Sequence, residues 1–250
     1  MVNAARNAHI PTIFWNREDG VHFDRFIESA RLFDTIFTVD ETMLPKYREQ
    51  VEPGTRTGVM MFAAEPSIHY PRPATAERRA SFVGSYGTHV HDGRRVWQDA
   101  IFQAASEIGL TVHDRNSGRR PAHYRYPDYP WIRVENAIPY AQTADVYRRH
   151  AVNLNVNTIM GSPTAFSRRL VEILACGAFA VTNPTPAVKR LFDGYCRTVE
   201  GEEDARELFA RIARDGLSKD DEGRARAGAD YVLSHHTWAN RLAQILEAVE

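Results

Sequence analysis

The stretch Asn153–Pro184, NLNVNTIMGSPTAFSRRLVEILACGAFAVTNP, constrains this chain more than any other. An apolar strand runs into a polar loop, an amphipathic helix, a Gly turn and a second apolar strand. Strand, helix and strand at that spacing make a crossover unit, and crossover units build parallel sheets. Phe166, Leu170, Val171 and Leu174 form the buried side of the helix. Ser162 is expected to cap it, Pro163 suits its first turn, and Gly177 ends it in a left-handed cap. A helix start around 162–164, Thr164 included, offers free N–H groups and the positive end of a dipole to an anion. Arg168 and Arg169 follow, and a guanidinium fork matches phosphate oxygens. Glu172 shares a face with Arg169, where a carboxylate can accept the ribose hydroxyls of a nucleotide. The same three charges also fit a solvated ion-pair face, and periodicity does not choose between the two.

The alternation extends along the chain. TIFW (12–15), TIFTV (35–39) and TGVMMF (57–62) read as strands, with helices near 22–32 and 42–50 between them. Residues 63–80 hold three prolines and no periodicity, which breaks the pattern. A second run starts at ASFVG (80–84). Its helix near 93–108 has Asp92 as cap and Gly109 as stop, with Val96, Ala100, Ile101, Ala104 and Ile108 inward. A strand at 110–114, a Pro- and Tyr-rich loop over 115–133, a helix at 143–150 and strands at 152–157 and 178–182 follow. Helices near 185–192, 203–215, 219–233 and 237–248 close the chain, the last with an apolar stripe of Leu242, Ile245 and Leu246. The fold class is α/β. Two small doubly wound domains (1–65 and 81–235) are expected, joined by a linker at 66–80 and followed by a terminal helix in 236–250. Ligands of such sheets bind at the carboxyl ends of strands, and in two-domain chains in the cleft between.

Composition narrows the function classes. A net charge of −1 gives no global attraction for nucleic acid or anionic lipid. Cys176 and Cys196 make neither a disulfide framework nor a metal cluster. No apolar run approaches the roughly 18 residues of a membrane span. The start, MVNAARNAHIPTIFW, lacks the apolar core of a secretory signal, so the default compartment is the cytoplasm. His22 and His89 have no partners at metal-ligand spacing, and no HExxH or CxxC is present, so neither a metal nor another cofactor is expected.

Two further segments carry candidate chemistry. FVGSYGTHVHDGRR (82–95) is a strand entering the turn Gly84-Ser85-Tyr86-Gly87, where a glycine permits close backbone approach to a ligand. Arg94 and Arg95 open the next helix and face the same anion from the other side. No GxGxxG or GxxxxGK[ST] is present. FWNREDGVHFDRF (14–26) sets Glu18, Asp19 and His22 just past a strand end, where a catalytic acid or base would face a cleft. Asp19 equally suits the cap of the following helix.

Together FWNREDGVHFDRFIESARLFDTIFTVD, VMMFAAEPSIHYP, ASFVGSYG with GRR, HDRN with YRYP, LNVNTIMGSPTAFSRRLVEILACGAFAVTN and HTWANRLAQIL resemble the CgeB-like (spore-protein type) glycosyltransferases, which are similar to the larger GT-B group. The resemblance runs from about residue 10 to residue 248. It implies two Rossmann-like domains facing a cleft, a nucleoside-diphosphate sugar held mainly by the second, and metal-independent transfer to a hydroxyl. By that analogy Arg169 neutralises the diphosphate and Glu172 holds the ribose. Gly84 and Ser85 form the facing loop, Arg94 or Arg95 adds a phosphate contact, and the terminal helix crosses back to the first domain. An acid at 18–19 or His22 would deprotonate the acceptor, whether glycan, lipid-linked, protein or nucleic acid. Two features depart from the group. The loop GSPTAFSRR lacks the glutamate that GT-B enzymes commonly place near the sugar. The first domain is also short, about half the length of a full one. The shortness points to a partner chain or oligomer that completes it, or to a non-catalytic nucleotide- or glycan-binding module.

Overall fold

A computed structural model describes residues 2–74, 77–88, 91–119 and 121–250. His89 and residues 75–76 of the expected linker lie outside them. A short helix α1 (Val2–Asn7), not anticipated from the sequence, leads into the first sheet. There β1 (Ile13–Asn16), β2 (Thr35–Thr38) and β3 (Arg56–Val59) run parallel in the order β1-β2-β3. α2 (Asp19–Ala30) and α3 (Leu44–Gln50) make the crossovers. Phe23, Ile27, Ile36 and Tyr47 form their small shared core.

The second sheet holds β4 (Glu77–Gly84), β5 (Leu110–Asp114), β6 (Ile132–Glu135), β7 (His150–Asn155), β8 (Ala180–Thr182) and β9 (Arg197–Thr198). All are parallel, in the order β6-β5-β4-β7-β8-β9. With β4 as first strand this is the doubly wound nucleotide-binding order, and it reverses between β4 and β7. α4 (Asp92–Ala104), α5 (Thr143–Arg149), α6 (Arg168–Ala175), α7 (Pro186–Leu191), α8 (Glu202–Asp215) and α9 (Lys219–His235) cover its faces, and α10 (Trp238–Val249) ends the chain. One face buries Phe82, Phe102, Val112, Leu154 and Phe209. The other buries Leu170, Val171, Leu174, Phe192 and Val232. Each such side chain contributes about 1.5–3 kcal/mol on burial. The architecture is that of GT-B glycosyltransferases, with the first sheet the smaller.

Several elements differ from the sequence reading. β4 begins at Glu77, inside the segment read as linker. β6 and β9 are additional strands at the two edges of the sheet, charged and partly exposed rather than apolar runs. Val96 is 63% exposed although placed inward on α4. α4 starts at Asp92 itself, with His91 at the cap in a left-handed conformation (φ 56). Gly177 adopts the left-handed conformation (φ 66) that ends α6.

α10 meets the first sheet's exit strand through polar side chains. Leu242 and Leu246 are 56% and 53% exposed, while Arg241 is buried. The chain leaves the first sheet at Met60, so the carbonyls beyond need donors. Arg241 supplies them: Nε donates to the Met61 carbonyl at 2.7 Å and Nη2 to that of Phe62 at 3.3 Å. Nη2 also donates to His236 Nδ1 at 2.9 Å. Thr237 and Asn240 form a reciprocal capping box at the helix start. A second tie between the sheets is Thr164, whose Oγ1 donates to the Val39 carbonyl at 3.0 Å and accepts from the Glu41 N–H at 2.9 Å. No helix among the described residues is long and apolar enough to cross a membrane.

Candidate functional site

A cleft of about 760 Å³ opens between the two sheets. One wall comes from the carboxyl ends of β4 and β7, where the strand order reverses; the other comes from the segments that follow β1 and β2. That is where doubly wound folds bind ligands, and the size suits a small organic ligand.

The alternating asparagines of NLNVN position the first wall. Asn153 Nδ2 donates to the Tyr147 carbonyl at 3.0 Å, and Asn155 Nδ2 to Thr182 Oγ1 at 2.9 Å. Asn157 Oδ1 accepts from the Ser167 N–H at 2.8 Å, which sets the start of α6. Arg169 then reaches across to β4. Its Nε donates to the Val83 carbonyl at 2.6 Å, its Nη1 reaches Asn155 Oδ1 at 3.5 Å, and its guanidinium lies 4.3 Å from the Phe82 ring centre. A Cβ at Gly84 would meet Arg169 Nη2 and the Phe82 ring, so a side chain there requires the guanidinium or the ring to shift. From α4, Arg94 Nη2 donates to the Ser85 carbonyl at 2.9 Å, and Gln98 joins at the same oxygen at 3.2 Å. Tyr86 fixes the turn by donating to Asp99 Oδ1 at 2.6 Å and packing on Phe102 and Tyr126.

The electrostatics at this end of the cleft are one-sided. Arg94 Nε is buried without an acceptor. Burial, and then the positive charge of Arg169, push the Arg94 guanidinium down to about 10. Burial also lowers Arg169, and Arg115 weighs on both. Neither Arg94 nor Arg169 forms an ion pair with a carboxylate among the described residues. Two guanidiniums held together in this way are stabilised by an anion between them.

Glu172 is buried rather than solvated, so the surface ion-pair reading fails for it. Its ion pair is with Arg168 at 2.8 Å, one turn along α6, and not with Arg169. Tyr147 donates to Oε2 at 3.4 Å, and the Arg168 pair falls on Oε1. Burial raises its pKa, against the opposing charge of Arg168.

Other expected contacts lie elsewhere. Ser162 does not cap α6, which starts six residues later at Arg168. Its Oγ accepts from the N–H groups of Thr164 (3.2 Å) and Ala165 (2.9 Å), closing a local turn of its own. Ser162 and Thr164 are buried outside the cleft, and the Thr164 hydroxyl is occupied by Val39 and Glu41. Arg95 pairs with Asp92 at 3.3 Å and donates to the Thr88 carbonyl at 2.8 Å, away from the cleft. Of the tyrosines in the 115–133 loop, Tyr126 is buried in the core and Tyr129 stacks on Trp131, whereas Tyr124 lines the cleft under Arg119.

On the first sheet's side, Glu18 lines the cleft and is exposed. Asp19 is the first residue of α2 and 1% exposed, beneath the sheet end beside Thr38 and Tyr47. Burial raises its pKa, and those hydroxyls only partly oppose the rise. His22 sits on the outer part of α2, its ring 6.4 Å from that of His91. Asp19 and His22 therefore stand outside the cleft. Sequence reasoning missed Asp40, Arg115, Tyr140 and Tyr147, all of which line it. Asp40 and Arg115 had a signal, since each follows the carboxyl end of an apolar strand. The two tyrosines had none. Among the described residues no three His, Cys, Asp or Glu side chains gather in a metal-binding group.

These features define a cleft between two parallel sheets of the GT-B type. The profile of a family described as glycosyl transferase-like matches residues 94–247, well over half the chain, and the chain belongs to that family. No curated protein matches the sequence significantly. Among solved structures, Anabaena HepE in complex with UDP and glucose is similar at a TM-score of 0.68 and 12% identity, over 99% of this chain and 73% of that one. A glycosyltransferase from Rickettsia africae is similar at 0.64 and 11% identity, over 99% and 78%. A sucrose-phosphate synthase from Thermosynechococcus elongatus is similar at 0.62 and 13% identity, over 92% of this chain. This chain spans 62% of that synthase's length.

Proposed function

We propose that the protein transfers a sugar from a nucleoside-diphosphate donor to a hydroxyl acceptor without a metal ion, as the CgeB-like resemblance implies. One observation carries the reading: Arg94 and Arg169 line the cleft at the strand-order reversal with no carboxylate partner among the described residues, one of them with a buried, unmatched N–H. In this reading the diphosphate lies between them, approached closely by the backbone of Gly84 and Ser85, with Arg115 at the rim. The charge that develops on the leaving diphosphate then meets preorganised donors. Glu172 accepts the ribose hydroxyls, with Arg168 beside it to hold its charge. The complexes of HepE with UDP and with UDP-glucose support UDP-glucose as the first donor to try.

The test is release of UDP from UDP-glucose by the wild type, Arg169→Ala and Glu172→Ala. Loss in both variants supports the assignment, and unchanged release in both contradicts it. A second reading, a non-catalytic nucleotide- or glycan-binding module, is favoured by the three-stranded first sheet. UDP binding with no turnover of any donor would select it.

A further inference from the structure

We propose that Asp40 is the base that takes the proton from the acceptor hydroxyl, an assignment that rests on the donor reading above. Three observations support it. The first is place. Asp40 follows the carboxyl end of β2, the central strand of the first sheet, and lines the cleft from the side opposite Arg94 and Arg169. The second is orientation. Its N–H donates to Thr38 Oγ1 at 2.9 Å, while Oδ1 accepts from the Thr42 N–H at 3.0 Å and from Thr42 Oγ1 at 2.7 Å. Both accepted bonds fall on Oδ1, so the carboxylate is fixed and Oδ2 has no protein donor among the described residues. The third is confinement. Asp40 is buried in the cleft wall, and a Cβ at Gly20 would stand 3.0 Å from Oδ2 and 3.0 Å from Ile159 Cδ1, so a side chain there would crowd the carboxylate against the second sheet's loop. The other carboxylates on this wall are less suited: Asp19 is buried outside the cleft, and Glu18 is exposed with no bond that holds its carboxylate.

The step balances without a further reactant. The acceptor O–H bond breaks and its proton passes to Oδ2. The released electron pair forms the bond to the anomeric carbon. The bond from that carbon to the diphosphate breaks, and its pair leaves on the nucleoside diphosphate, where Arg94 and Arg169 meet the charge. Asp40 then gives the proton to water. A single displacement of this kind inverts the anomeric carbon.

Asp40→Asn separates base from scaffold, because the amide oxygen still accepts at Thr42 while the basic oxygen is lost. The probe is UDP-glucose, with water and then azide as acceptor. We expect the variant to bind UDP as the wild type does and to release UDP from UDP-glucose about 10²–10⁴-fold more slowly. Azide carries no proton to remove, so it restores release and gives an inverted glycosyl azide. Gly20→Ala, which leaves the carboxylate and its cap in place, also slows release. Equal release by wild type and Asp40→Asn, zero included, or a slowed variant that azide fails to restore, overturns the proposal while UDP binding keeps the donor reading intact. A wild type that binds no UDP defeats the donor reading itself, and this proposal with it.

Discussion

The guanidinium of Arg169 fills the space that a side chain at position 84 would occupy, so the end of β4 and the start of α6 hold each other in register. Gly84→Ala must displace Arg169 Nη2 or the Phe82 ring, beside the 2.6 Å bond from Nε to the Val83 carbonyl. Overpacking of this kind costs about 1–3 kcal/mol. The expected outcome is a lower urea midpoint together with at least a tenfold loss of UDP affinity, read by calorimetry. A variant of wild-type stability that binds UDP normally would show that the contact is incidental.

Thr164 joins the two sheets through one hydroxyl. Thr164→Val keeps the shape and leaves the Val39 carbonyl and the Glu41 N–H without that partner. An unsatisfied buried group costs about 1–3 kcal/mol, so urea unfolding should show a destabilisation in that range. Thr164→Ser, which keeps the hydroxyl, should restore most of it.

Acid should loosen the molecule through two buried histidines. His69 and His236 are each pushed down from 6.5 to about 4, first by burial and then by a neighbouring arginine, Arg148 for one and Arg241 for the other. A histidine depressed in the folded state contributes stability above its ordinary value of 6.5, and that stability is lost as pH falls towards about 4. At about pH 5 each accounts for a loss on the order of 2 kcal/mol. Melting temperature measured between about pH 7 and pH 5 should fall steeply in the wild type and less steeply in His69→Gln, whose amide does not titrate.

Much of this architecture was legible in the sequence, because buried parallel strands are continuous apolar runs and their helices repeat at 3.6 residues. NLNVN, LVEILA and AFAVT announced β7, α6 and β8 in order. β6 and β9 went unseen because they are edge strands that carry charged, partly exposed residues and no apolar run. The start of α6 was misplaced because Ser162 and Pro163 form a sound helix-start signature that here closes a separate turn. The Leu242 and Leu246 stripe is exposed, since periodicity gives a face but not what covers it. Arg94, Arg169 and Glu172 were readable as charges beside turns. That Arg169 passes under Gly84, and that Glu172 is buried, depends on tertiary packing that no local pattern encodes. Asp40 was overlooked because Glu18, Asp19 and His22 crowd the preceding strand end and drew attention there.

In the proposed function Arg94 and Arg169 form a diphosphate site. Titration of the wild type with UDP and with uridine at one ionic strength tests it most directly. Charge-assisted bonds to two guanidiniums contribute about 1.5–3 kcal/mol each, so UDP should bind at least a hundredfold more tightly than uridine. Equal affinities, or no binding of UDP, would contradict it.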